Sequence, residues 1–177
     1  MRYDDLVKQL LEAIADVPPP PPAIIQKAEA PIRNVDIIAA ALIGEAGGEG
    51  EKGMHAVMNV IVNRSRNNSD FVKAAVQTVL KPKQFSFFNK YNLGREDMKH
   101  IVNRAKQHAN WNIAEKIALE GLSKRLPDLT DGATHYHVSS GKSKVTPKWT
   151  TKELGGKSSS AVITNTIGRH SFLKNVD

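Results

Sequence analysis

The chain of 177 residues contains no cysteine. That absence excludes disulfide frameworks, thiol nucleophiles and cysteine-ligated zinc together, and it leaves the redox compartment unread. Aromatic residues make up only 6% of the sequence and are not interleaved with the basic runs, unlike single-strand nucleic-acid binders. No apolar stretch reaches the ~18 residues of a membrane-spanning helix, and the amphipathic N-terminus does not resemble a secretory signal. No repeat of fixed period is present either, which argues against a solenoid. What remains is a length suited to one globular domain with an appendage, 40% hydrophobic residues for a core, and a net charge of +7. A basic surface suits polyanions, among them nucleic acid, an anionic membrane face or an acidic cell-wall polymer.

The N-terminal arm divides in two. Residues 1–17 place Tyr3, Leu6, Val7, Leu10, Leu11, Ile14 and Val17 at helical spacing, and Pro18 to Pro22 then impose a stiff polyproline rod within a linker of residues 18–31. Such a helix docks to a partner, self-associates, or packs back on its own domain. Residues 32–177 read as the main domain. Helical periodicity runs through 35–43, 54–64, 72–80, 95–109 and 112–125, the last two being separate helices or one interrupted near Asn110-Trp111, with Ser69 as a candidate cap for the third. From Thr130 onward Gly, Ser and Thr rise, and short strand-like runs occur at 134–138, 162–165 and 169–173. The expected fold is therefore α+β, a mainly helical body with a small sheet or hairpin near the C-terminus.

One carboxylate stands out. Glu45 closes the apolar run 35–43, and Gly47-Gly48 should end the helix within a turn of it. Burial and the negative helix end both disfavour charge there, so Glu45 is placed to keep a proton and to donate it to a leaving oxygen. Glu49 lies four residues on and would share a face with Glu45 on an unbroken helix, but the glycine pair is expected to prevent that. His135 and His137, two apart on a strand, with His170 as a third ligand, raise a rival reading as a zinc amidase or peptidase. No H-E-x-x-H element accompanies them. Basic segments around Arg104-Ala-Lys106 and Lys124-Arg125 raise a third, a non-enzymatic nucleic-acid-binding or structural virion protein.

Taken in order, Glu45-Ala-x-Gly-Glu49, Gly53-x-x-Ala-Val57, Asn63-Arg64, Gln84-Phe85-Ser86, Gly132-Ala133, His137, Val145-x-Pro-x-Trp149 and Ile167-Gly-x-His-x-Phe172 resemble the SleB-type cell-wall hydrolases, a family of spore-cortex-lytic enzymes and their bacterial and phage relatives. The resemblance runs from about Asp36 to Leu173. It implies a lysozyme-like domain that cuts the β-1,4 bond between N-acetylmuramic acid and N-acetylglucosamine, commonly as a lytic transglycosylase. It also implies Glu45 as the catalytic acid, no cofactor and no metal. Glu49, Gln84, Phe85, Ser86, Tyr136, His137, Trp149 and His170 are the expected substrate-binding residues, since sugars take amide and hydroxyl hydrogen bonds plus a flat apolar face. Gly47 and His135 depart from the family pattern, which has a bulkier residue and an aromatic residue there, and the segment 155–160 is expected to be a flexible loop near the cleft. The expected partner is the peptidoglycan glycan strand, with no nucleic acid and no membrane span. Lacking an export signal of its own, the protein is expected to be made in a host cytoplasm and to reach the wall by a phage route.

Overall fold

A computed structural model describes residues 31–141 and 146–176. The N-terminal helix, the polyproline linker and Val145 therefore lie outside the described residues. The organising element is α1, Asn34–Ala46, whose residues Ile38 to Leu42 have no accessible surface. A helix apolar on all sides is stable only when surrounded, and α1 is packed by α2 (Gly50–Ser65), α3 (Phe71–Leu80), α5 (Met98–Lys106) and α6 (Trp111–Leu122). Its three consecutive alanines, 39–41, let those neighbours approach closely. Asp36 fixes the start of α1 by accepting from the Arg33 backbone N–H at 3.2 Å and from the Arg33 guanidinium at 2.6 Å. Burial acts to raise the Asp36 pKa, but these bonds together with Lys106 at 3.6 Å bring it below the ordinary value.

The helix boundaries follow the sequence signals with one shift. Asp70, not Ser69, caps α3, accepting from the Lys73 N–H at 3.1 Å. Residues 107–110 separate α5 from α6, so the region after residue 95 forms two helices rather than one interrupted rod. A short helix, α4 (Asn89–Asn92), follows the single turn Ser86–Phe88.

Three antiparallel strands, β1 (His135–Val138), β2 (Val162–Ile167) and β3 (His170–Lys174), form a sheet in the order β1-β3-β2. Tyr136 pairs with Phe172 and His137 with Ser171. The sheet has its own small core, Ala133, Ile167 and Phe172, which packs on Ala56 and Val60 of α2. Thus α2 presents one face to the helical body and another to the sheet. The loop entering β1 is tied to the same helix: Asn59 donates to Pro127 O at 3.0 Å, and Asn63 donates to Ala133 O at 3.0 Å. These bonds set where β1, and hence Tyr136, stands relative to the end of α1. The mainly helical body with a small C-terminal sheet is the lysozyme-like α+β fold expected from the sequence.

Candidate active site

Glu45 is the penultimate residue of α1. The chain passes directly into a single 3-10 turn, Gly47–Glu49, so Glu45 lies where the helix gives way, and it is half-buried. Its carboxylate is held by three donors. Ser86 Oγ and the Phe87 backbone N–H donate to Oε1 at 3.1 and 3.3 Å, and the Tyr136 hydroxyl donates to Oε2 at 3.0 Å. Together these bonds fix the orientation of the carboxylate at the mouth of the loop that carries Ser86.

Each donor is set in place by packing. Phe85 and Phe88 are sunk in the helical core, which anchors the segment between them. Phe87 lies against Gly44, where a Cβ would come within 2.1 Å of the ring, so any larger residue would push the loop away from α1. The Tyr136 ring is backed by Phe85 at 6.5 Å, Phe172 at 5.8 Å and, edge-on, His170 at 5.4 Å between centroids. Burial first, and the neighbouring Glu45 second, hold the Tyr136 pKa well above 10, so its phenol remains a donor.

Around Glu45 opens a cleft of about 900 Å³ whose lining includes Arg64, Gln84, Ser86, Tyr136, His137, Trp149 and His170. Glu45 is the sole acidic residue among the described residues that line it. Trp149 stands beside both imidazoles of β1, 5.2 Å from His135 and 5.8 Å, edge-on, from His137. Burial, and then the charge of Arg64, lower the His135 pKa to about 4, so this ring is neutral at physiological pH. His170 is buried and its pKa is lowered too, by burial above all, and its Nδ1 has no hydrogen-bond partner among the described residues. His135, His137 and His170 do not assemble a metal site: among the described residues no group of three His, Asp or Glu side chains is arranged as ligands.

The structure thus gathers Glu45, Gln84, Ser86, Tyr136, His137, Trp149 and His170 around one cleft. Two expected site residues stand outside the lining. Phe85 has no accessible surface, so it supports Tyr136 from behind and cannot touch a sugar. Glu49 turns away to Arg169, accepting from its backbone N–H at 3.1 Å and its Nε at 2.6 Å, and this pairing lowers its pKa. Gly168 makes the contact possible: at φ +57° it forms the β2–β3 turn, and a Cβ there would sit 2.1 Å from Glu49 Oε2.

Arg64 was not among the expected site residues, yet it lines the cleft. It donates to Thr134 O and, at 3.0 Å, to Gln84 Oε1, joining the two walls. Its signal in the sequence is positional: it continues the stripe Val57, Ile61 at helical spacing, so a cation stands where the pattern calls for an apolar residue. The segment 155–160, expected to be a flexible loop, is tied back by Lys157 N–H to Lys148 O at 2.8 Å and Ser158 N–H to Thr150 O at 3.0 Å.

A helical body, a small sheet and one hydrogen-bonded carboxylate in an open groove define a lysozyme-like enzyme layout. The chain belongs to the SleB-type cell wall hydrolase family, whose model matches residues 48–173. No curated protein and no solved structure matches the chain. Peptidoglycan is accordingly the substrate, and the protein is an enzyme of wall degradation. The matched span begins three residues after Glu45, so the role of Glu45 rests on its geometry.

Proposed function

We propose that the protein is a lytic transglycosylase that cleaves the β-1,4 bond between N-acetylmuramic acid and N-acetylglucosamine, with Glu45 as its single acid and base. The observation that carries this reading is a cleft with one carboxylate among the described residues: Glu45 lines it, while Glu49, the nearest candidate for a second catalytic acid, is engaged with Arg169. Two-carboxylate hydrolysis needs a partner to activate water or to attack the sugar. Transglycosylation does not. Protonated Glu45 gives its proton to the glycosidic oxygen, the bond from that oxygen to muramic C1 breaks, and positive charge develops on the ring. The 6-hydroxyl of the same muramic residue then attacks C1, and its proton returns to the Glu45 carboxylate.

The three donors around Glu45 support both halves of this cycle. They orient the acid before the transfer, and they remain in place for the carboxylate after it. Trp149 offers a flat face for a sugar ring, and Gln84, His137 and His170 offer polar atoms along the same groove. Delivery by a phage route, and a partner-binding role for residues 1–31, belong to the same proposal. Their test is deletion of residues 1–31, expected to weaken partner binding while leaving sacculus digestion intact.

Digestion of purified sacculi with product masses tests the chemistry. Soluble fragments should end in 1,6-anhydromuramic acid, and Glu45→Gln should abolish their release while thermal unfolding stays near wild type. Products carrying only reducing muramic ends would mean that water attacks instead, and near-normal lysis by Glu45→Gln would remove Glu45 from the mechanism.

A further inference from the structure

The groove does not stop at Trp149. The same indole lines a second, shallower depression of about 390 Å³, whose other walls are Lys148, Lys157, Ser158 and Ser159. This depression is built from two chain segments held together by backbone bonds. The Lys157 N–H donates to Lys148 O at 2.8 Å, the Ser158 N–H donates to Thr150 O at 3.0 Å, and Thr151 bridges to Ser158. Gly156 lets the segments close, since a Cβ there would lie 2.1 Å from Thr150 O. The pairing joins the backbones of the two lysines, and both residues line the depression together with Trp149. Both are exposed, and neither has an ion pair among the described residues. No acidic residue is among the described residues lining the depression.

Two exposed lysines lining one depression with an aromatic platform, neither ion-paired among the described residues, suit a ligand with a flat neutral part and an appended anion. Peptidoglycan has that form: its sugar rings are uncharged, and each muramic residue bears, through its lactyl ether, a peptide stem with free carboxylates. We infer that Lys148 and Lys157 form an anion subsite that binds peptide-stem carboxylates, so that stem-bearing strands are taken in preference to stem-free ones. This inference rests on the proposed reading of the cleft as a glycan-binding groove. It assigns the discrimination to a pair of residues that take no part in the proton transfers at Glu45.

The test uses the full chain and three substrates prepared from sacculi stripped of teichoic acid: intact strands, strands with stem carboxylates converted to primary amides, and strands freed of stems by an amidase, with the lactyl carboxylates this exposes then converted to primary amides. Binding by co-sedimentation and release of soluble fragments are measured separately. Wild type should bind intact strands roughly fivefold better than either carboxylate-free form, the gain expected of two exposed charge pairs. The double variant K148Q/K157Q should lose that preference and bind the stem-free strands as wild type does. Equal binding of all three substrates by wild type overturns the inference, as does a preference that survives in the double variant. Sacculi with teichoic acid retained form a further arm: lysine-dependent binding seen only there would assign the site to phosphodiesters and refute the carboxylate subsite. Binding preference without any fragment release would strike the cleavage mechanism and still support the subsite.

Discussion

Replacing Glu49 by glutamine should loosen the junction between the sheet and the end of α1, by an amount that the contacts bound. The Glu49 side chain is 9% exposed and accepts two bonds from Arg169, whose own side chain is 53% exposed. Glutamine retains one acceptor for the Arg169 backbone N–H but sets an amide NH₂ against Nε–H, so one charge-assisted bond becomes a donor facing a donor. A hydrogen bond to a charged group contributes about 1.5–3 kcal/mol. Because the Arg169 guanidinium is half solvated and recovers water, the lower part of that range applies, about 1.5–2 kcal/mol. For a domain of this size the corresponding fall in Tm is roughly 3–8 °C. The pH dependence is a sharper check. Glu49 sits below its ordinary 4.5 because of Arg169. On acidification the unfolded chain therefore takes up this proton before the folded one does. The stabilisation is complete above pH 4.5 and is lost as pH falls through the lower folded value, so the Tm gap between wild type and Glu49→Gln should close below pH 4.5. Catalysis should respond through kcat, because the turn that carries Arg169 also carries His170 beside Tyr136. A Tm gap that is absent at pH 7, or one that stays constant down to pH 3, would refute the clamp.

Tyr136→Phe keeps the ring packed on Phe85 and Phe172 but removes the hydroxyl bonded to Glu45 Oε2. Sacculus lysis should fall by roughly 10- to 100-fold, as expected for one hydrogen bond to a charged group, while Tm falls by no more than the few degrees expected of Glu49→Gln. Unaltered lysis would show that the phenol neither orients nor stabilises Glu45. His135, held at about 4 by burial and Arg64, predicts acid sensitivity of the β1 wall. Its unfolded form takes a proton near pH 6.5 while the folded ring does not, so stability is greatest above pH 6.5 and declines as pH falls towards 4. His135→Phe should flatten the Tm profile across that window. An unchanged slope in the variant would locate the acid sensitivity elsewhere.

What could be read from the sequence was what local spacing encodes. Helix α1 with Glu45 at its end follows from an apolar run stopped by two glycines, and the strands follow from a β-branched run in β2 and from short runs carrying Tyr136 and Val138 in β1 and Phe172 in β3, set off by Gly and Ser. The α3 cap moved by one residue because Ser69 and Asp70 are both competent and only backbone geometry chooses between them. Phe85 sits in a segment with no helical or strand period, and nothing local distinguishes a phenylalanine under a cleft from one facing it. The donors to Glu45 were beyond such reasoning for another reason. Ser86, Phe87 and Tyr136 lie 41, 42 and 91 positions away, and they are delivered by the packing of Phe87 on Gly44 and by the anchoring of the β1 loop on α2.

The same limit explains why Glu45 and Glu49 part company. On a continuous helix, residues four apart stand one above the other on one face, and both carboxylates would open onto the cleft. Gly47–Glu49 is instead a separate 3-10 turn, and α2 starts afresh at Gly50 with φ +70°. The break turns the second carboxylate towards a hairpin 120 residues on, where Gly168 admits it and Arg169 neutralises it. Two carboxylates on one face would have supplied the equipment of a hydrolase. With one withdrawn to hold the sheet in place, the proposed transglycosylase route is the one that asks for no second carboxylate: a single acid gives and reclaims its proton, and a substrate hydroxyl completes the cycle.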